Sequence, residues 1–119
     1  MDYAEWCRHF GHPVALVQVI KHQAVECLLD VELANSAAYY AAQVAADDSD
    51  ELPSVASLAK AGAADAYIQT AIRTIQMHGG IGFTWENDTH LWFKRAKISE
   101  VFLGTSVYHR ELMMQRWVA

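Results

Sequence analysis

The sequence predicts an all-α protein, one up-and-down bundle of three to four helices occupying residues 1–119 as a single domain. Three observations predict it. Proline occurs only at Pro13 and Pro53, and each position suits the first turn of a helix. After each proline, apolar residues recur at steps of three and four, the period of a buried helical face. Nowhere does the two-residue alternation of a half-buried strand persist.

The first helix is expected over about 13–46, roughly 50 Å at 1.5 Å per residue. Its apolar seam runs Val17, Ile20, Ala24, Cys27, Val31, Ala34, Ala38, Ala41 and Ala45. The far half is alanine-rich, so a neighbouring helix can approach closely there. Asp47-Asp48-Ser49-Asp50-Glu51 makes an acidic turn whose charge favours the start of the next helix. That second helix runs from about Pro53 to His78, with Val55, Leu58, Gly62, Ile68, Ile72 and Ile75 close to one face and Asp65 interrupting it. Gly79 and Gly80 end it. Asp88-Thr89 caps a third helix, about 89–100, carrying Leu91, Trp92, Phe93 and Ile98. Thr105 or Ser106 caps a fourth, about 106–118. Residues 1–10 read as the tail of an earlier helix through Phe10.

Composition narrows the function. The chain is 53% hydrophobic and 19% charged, apolar for its length, which implies a dense core or surface buried against another subunit. A net charge of −5 with scattered Lys and Arg argues against a nucleic-acid partner. No apolar run approaches the ~20 residues that span a bilayer, and the acidic start Met1-Asp2-Tyr3-Ala4-Glu5 is not a signal peptide. Cys7 and Cys27 lie far apart without a CxxC pattern and read as reduced thiols of a cytoplasmic protein. Six histidines, His9, His12 and His22 among them, show no set of three or four converging ligands, so no metal is expected. Trp85, Trp92, Phe93 and Phe102 are too many large rings for one small bundle, and some belong at an interface, as does Trp117. Met113-Met114 reads as gap-filling core.

Two glycine stretches stand out. Gln76-Met77-His78-Gly79-Gly80-Ile81-Gly82-Phe83 closes the second helix with backbone N–H groups that no side chain covers, so a phosphate can approach. Gly104-Thr105-Ser106 puts a glycine and two hydroxyls at a helix start, another anion-friendly place. A Gly-Gly after a helix is also the ordinary C-cap. His78 suits either a phosphate donor or a packed, capping histidine.

At these residues the chain resembles the acyl-CoA dehydrogenases, flavoproteins that desaturate acyl-CoA thioesters. The matching strings are Phe10-Gly11-His12-Pro13 with Gln18, Lys60 within Ala56-Ser57-Leu58-Ala59-Lys60, the Gln76–Thr84 stretch, and Gly104-Thr105. They are in register and cover essentially the whole chain, but only the family's C-terminal helical domain; nothing here matches its N-terminal helical or middle β-domain. Phe93-Lys94-Arg95-Ala96-Lys97 and Val101-Phe102-Leu103-Gly104 look most like the bacterial branch acting on sterol side-chain thioesters.

The resemblance implies FAD shared with another chain or domain. Gln76, Gly79 and Gly80 would face the pyrophosphate and ribose of a neighbour's FAD, Gln18 would hydrogen-bond the flavin or its phosphates, and Thr105 would approach the adenosine. Two positions depart from the family. Its usual FAD-contacting arginine is Cys7 here, with Arg8 one place along and, on a helix, turned by ~100°. Its frequent catalytic glutamate is Leu103, which cannot accept a proton, and Glu100 reads as a solvated surface acid. No catalytic residue is therefore assigned. The expectation is a domain that completes a flavin site and an oligomer interface without turnover of its own. Its partner would be another copy or a complementary acyl-CoA dehydrogenase subunit, with acyl-CoA as substrate of the complex. The alternative is a non-catalytic helical assembly module, or a truncated remnant, that binds no flavin.

Overall fold

The structure is a computed structural model that describes residues 2–9 and 11–118. A short helix, α1 (Asp2–Trp6), leads into a small antiparallel ladder of β1 (Arg8–His9) and β2 (His12–Pro13), in which Arg8 pairs with Pro13 and His9 with His12. One 3-10 turn (Val14–Leu16) precedes α2 (Gln18–Ala46). Then come α3 (Leu52–His78), a 3-10 segment (Gly79–Phe83), α4 (Thr89–Val101) and α5 (Ser106–Val118).

The helical bundle is as expected, and three of its four long helices begin and end within about a residue of the sequence reading. The differences in element boundaries lie in the first eighteen residues. The N-terminal helix stops at Trp6 instead of running through residue 10; Phe10 itself lies outside the described residues. α2 starts at Gln18, not at 13, because Pro13 is taken up in the ladder and Val14–Leu16 turns more tightly. Proline at an edge strand costs nothing where its missing N–H would be unpaired, so Pro13 fits a hairpin as well as a helix start.

α3 is the axis, and the other three long helices pack along it antiparallel. Arg73 of α3 pairs with Glu26 at 3.0 Å and Asp30 at 3.3 Å on α2, and its guanidinium also meets Cys27 Sγ at 3.7 Å. These partners hold Arg73 above its usual pKa, the Cys27 contact most of all. α4 covers the second half of α3: Phe93 packs on the buried cluster of Ile68, Ala71 and Ala96, and Lys60 Nζ donates to Ser99 O at 2.6 Å, satisfying a last-turn carbonyl. α5 covers the first half, with Arg110 paired to Asp65 and Arg116 donating to Ser57 Oγ at 2.9 Å. So α4 and α5 run in the same direction, two pieces of a third rod broken at 102–105.

A helix surrounded on several sides has no single buried face. α3 buries Ser57, Ala61, Ala64, Ile68 and Ala71 along one stripe and Val55 and Ala66 off it. The expected face is only partly right: Leu58 is 47% and Ile72 42% exposed, because small residues take the tight contacts and the large ones sit at groove edges. On α2 the inward row is Ile20, Ala24, Cys27, Asp30, Ala34, Ala37, Ala41 and Val44, and the expected Val17, Val31, Ala38 and Ala45 lie outside it. Met114 is exposed on α5 and fills no gap.

The bundle is a rod, 57 × 25 × 24 Å, with a radius of gyration of 17.4 Å; a compact chain of this length would give about 13.5 Å. It exposes 8482 Å², against roughly 6,500 Å² for a compact monomer of this mass. Among the described residues no large side chain is fully buried. Val25, Leu28, Leu29 and Leu33 leave a bare apolar face on α2, and Trp85, Trp92, Phe102 and Trp117 are all exposed. No helix of the described residues is long and apolar enough to cross a membrane.

Candidate functional site

The Gly79–Phe83 segment is fixed from inside and open outside. Gly79 terminates α3 at φ 62°, ψ −139°, a conformation reserved in practice for glycine, and its N–H donates to Gln76 O. Gly82 is buried; a Cβ there would meet Ile75 O at 2.7 Å. Thr89, the first residue of α4, donates from Oγ1 to Gly82 O at 2.8 Å, while its N–H reaches Asn87 Oδ1 at 2.9 Å. Asn87, not the expected Asp88, thus supplies the side-chain cap.

His78 faces the bundle. Its ring stacks on Tyr3 with centroids 4.0 Å apart, and Nδ1 donates to Thr74 O at 2.8 Å. Of the two roles open to it, the packed histidine is the one adopted. Tyr3, whose hydroxyl donates to His78 O at 3.4 Å, is held above the usual phenol pKa chiefly by its hydrogen bond with Cys7.

Gly80 is different in kind. Its φ is not positive, and a Cβ there would meet nothing within 4 Å. Nothing within this chain requires glycine at that position. Gly79 and Gly80 border an open cavity of about 890 Å³, within the usual range for small-molecule sites. Ile72, Ile75 and Phe93 make an apolar floor, and Gln76 and Phe83 stand at the same mouth. His90 and Lys94, one turn apart on α4, form the remaining wall. Lys94 is the one charged lining residue among those described. Its Nζ lies 4.4 Å from the centroid of the Trp85 ring, and His90 packs edge-on against the same ring at 4.8 Å. His90 Nδ1 is buried without a hydrogen-bond partner. An apolar floor, bare backbone and a held cation suit a ligand with a flat ring and an anionic end.

Of the expected site residues, Gln76, Gly79 and Gly80 come together in this cavity. Gln18 opens α2 at the same end of the rod, because α2 runs antiparallel to α3, but it does not line the cavity. Thr105 lies at the break between α4 and α5, a whole α4 away, about 20 Å for 13 residues. There its Oγ1 accepts the Tyr108 N–H at 3.3 Å as the cap of α5, leaving its own O–H free to donate. Sequence reasoning missed His90 and Lys94. Their spacing of four was visible, but the turn they face arrives from another helix.

The second glycine turn carries Leu103 at φ 62° and Gly104 at φ 109°. A Cβ on Gly104 would meet the Tyr108 ring at 2.6 Å. His109 Nε2 sits 2.9 Å from Leu103 O. The Leu103 side chain is 75% exposed and offers no proton acceptor. Glu100 is tied to Lys97 at 2.8 Å and serves as a surface ion pair. Cys7 follows α1 directly, and Arg8 stands in β1, so the helical rotation expected between them does not apply. Arg8 is exposed and does not line the cavity.

A family model described as the acyl-CoA dehydrogenase C-terminal domain matches residues 1–118. The chain is similar to acyl-CoA dehydrogenase FadE34 of Mycobacterium tuberculosis, 41% identical over 105 residues, which is 87% of this chain and 15% of that protein. It is similar to acyl-CoA dehydrogenase IpdE2 of the same organism, 33% identical over 96 residues, 81% of this chain and 28% of the relative. Among solved structures it superposes on the crystal structure of an FAD-dependent dehydrogenase with a TM-score of 0.93 at 28% identity, covering 98% of this chain and 31% of the other. This chain therefore spans less than a third of the length of any of these three proteins.

Proposed function

The chain belongs to the acyl-CoA dehydrogenase family, as its C-terminal domain, and on that footing we propose that it completes an FAD site and an oligomer interface, with no turnover of its own. Gly80 carries the reading: a glycine that its own chain does not require, at the mouth of a cavity with a cation on one wall. The residues fit the adenosine-pyrophosphate end of FAD. Gly79 and Gly80 leave the backbone of the turn uncovered by side chains, Gln76 offers an amide donor, and Lys94 offers charge. Bound FAD supplies the acceptor for the hydride lost in CH–CH desaturation of an acyl-CoA. The residues of this chain bind and orient; Leu103, at the position of the family's frequent glutamate, cannot take the α-proton.

Gln18 would hydrogen-bond the flavin or its phosphates, and Thr105 the adenosine portion. The distance between Thr105 and the Gly79–Gly80 cavity supports a site assembled from more than one chain, each helix end serving a different FAD. The exposed area supports the same conclusion. It exceeds that of a compact monomer by about 2,000 Å², more than the ~800 Å² each partner commits to a standard interface. The partner is a second copy or a complementary subunit, the complex works in the cytoplasm, and its substrate is an acyl-CoA. The Phe93–Lys97 and Val101–Gly104 strings favour a sterol side-chain thioester.

A second reading, an assembly module or remnant without flavin, draws on Leu103 and Cys7 in place of the family's glutamate and arginine. Gly80→Trp separates the two. In a complex reconstituted with a subunit carrying the family's other domains, the proposal expects assembly intact by mass and flavin absorbance abolished. Assembly lost with no separate effect on flavin supports the module instead.

A further inference from the structure

We infer that Lys94, held over the Trp85 ring, is the charge partner of the diphosphate at the Gly79–Gly80 turn and makes the cavity selective for an adenosine diphosphate unit over a monophosphate. The inference rests on the flavin-edge reading and gives Lys94, which the sequence placed only in the Phe93–Lys97 string, a binding role. A diphosphate brings two or more negative charges to a site whose floor is Ile72, Ile75 and Phe93. The backbone of the turn alone stabilises such charge only in part, since the Gly79 N–H already donates to Gln76 O, and a cation within reach is the usual complement. Lys94 is the one charged side chain of the wall. Among the described residues it makes no carboxylate pair; Lys97, one turn on, is the lysine that Glu100 neutralises.

Its placement is built. Nζ sits 4.4 Å from the Trp85 centroid, which restrains a flexible ammonium without neutralising it. His90, one turn back on α4 and also lining the cavity, packs edge-on against the same ring at 4.8 Å. Trp85 is itself 80% exposed, so its ring does little for the core. Its measurable contact is with the residues that wall the cavity. The apolar floor takes the purine, and the phosphates fall between Gly80 and Lys94.

The test is an NMR titration of the full chain with ADP and with AMP, following the Gly79 and Gly80 amides and the Trp85 indole. ADP is expected to move these signals and to bind about tenfold more tightly than AMP, the scale of one charge-assisted hydrogen bond. Lys94→Gln is expected to bring ADP level with AMP and to flatten its salt dependence, while Lys94→Arg retains the preference. Trp85→Leu should weaken ADP about threefold by releasing the ammonium. An ADP affinity unchanged by Lys94→Gln overturns the inference, as does a loss that Lys94→Arg fails to restore, or the absence of any shift at the two glycines. FAD and coenzyme A share the unit, so each is then competed against ADP: displacement by FAD supports the flavin assignment, and displacement by coenzyme A alone overturns it. Flavin content of the reconstituted complex keeps the failures apart. Yellow complexes with both wild type and Lys94→Gln at equal FAD affinity remove Lys94 and leave the flavin reading standing; a colourless wild-type complex removes the reading itself.

Discussion

The two glycine turns, one following α3 and one following α4, differ in what they offer. Both contain a glycine fixed by sterics: Gly82 against Ile75 O and Gly104 against the Tyr108 ring. Both also contain a position that the local packing leaves free. At the α3 turn it is Gly80, kept small and facing a cavity. At the α4 turn it is Leu103, a bulky apolar residue in a left-handed conformation, pointing into open space. The turn that would grip a cofactor keeps its open face, while at the other turn the Leu103 side chain, where a carboxylate would act, presents only hydrocarbon.

Substitutions at these four positions sharpen the contrast. The largest effect on folding is expected at Gly82→Ala, because the new Cβ strikes a backbone oxygen that cannot swing away; a loss of about 2–3 kcal/mol should appear in urea denaturation. Gly104→Ala follows, at about 1–2 kcal/mol, since its φ of 109° disfavours a side chain but the Tyr108 ring can rotate aside. Gly80→Ala should go the other way, stabilising by about 0.5 kcal/mol through the unfolded chain, while lowering FAD retention of the complex in a dialysis assay. That opposition of signs is the mark of a residue kept small for a ligand. Leu103→Gly is expected to change stability least, within about 0.5 kcal/mol, as relief of the left-handed backbone offsets the added chain entropy. A Gly80→Ala variant that loses as much stability as Gly82→Ala would erase the distinction between them.

The sequence displayed most of the bundle because its boundaries carry local chemistry. Pro53, the Gly79-Gly80 pair and the Thr105 hydroxyl each act within one helical turn, and α3 starts and ends, and α5 starts, where those residues stand. The N-terminal region was not legible, because Pro13 serves a hairpin edge and a helix start alike. The buried side of α3 was not legible either: a helix packed against α2, α4 and α5 shows no single period. Gln76, Gly79 and Gly80 fall within five residues, so their motif was readable in one dimension. Lys94 and His90 join them only because Thr89 ties the start of α4 to Gly82 O, a tertiary contact with no local signal. Leu103 could be seen to lack a proton acceptor, but not to stand in a left-handed conformation.

The most direct measurement is the flavin absorbance of the chain purified alone and purified with a subunit that carries the family's N-terminal and middle domains, with the mass of each complex and turnover of an acyl-CoA. The account predicts a colourless, self-associated and inactive chain by itself, and a yellow complex with the partner. Turnover by the chain alone would contradict it outright, and a colourless assembly in every combination would leave a packing module in place of a flavin-site domain.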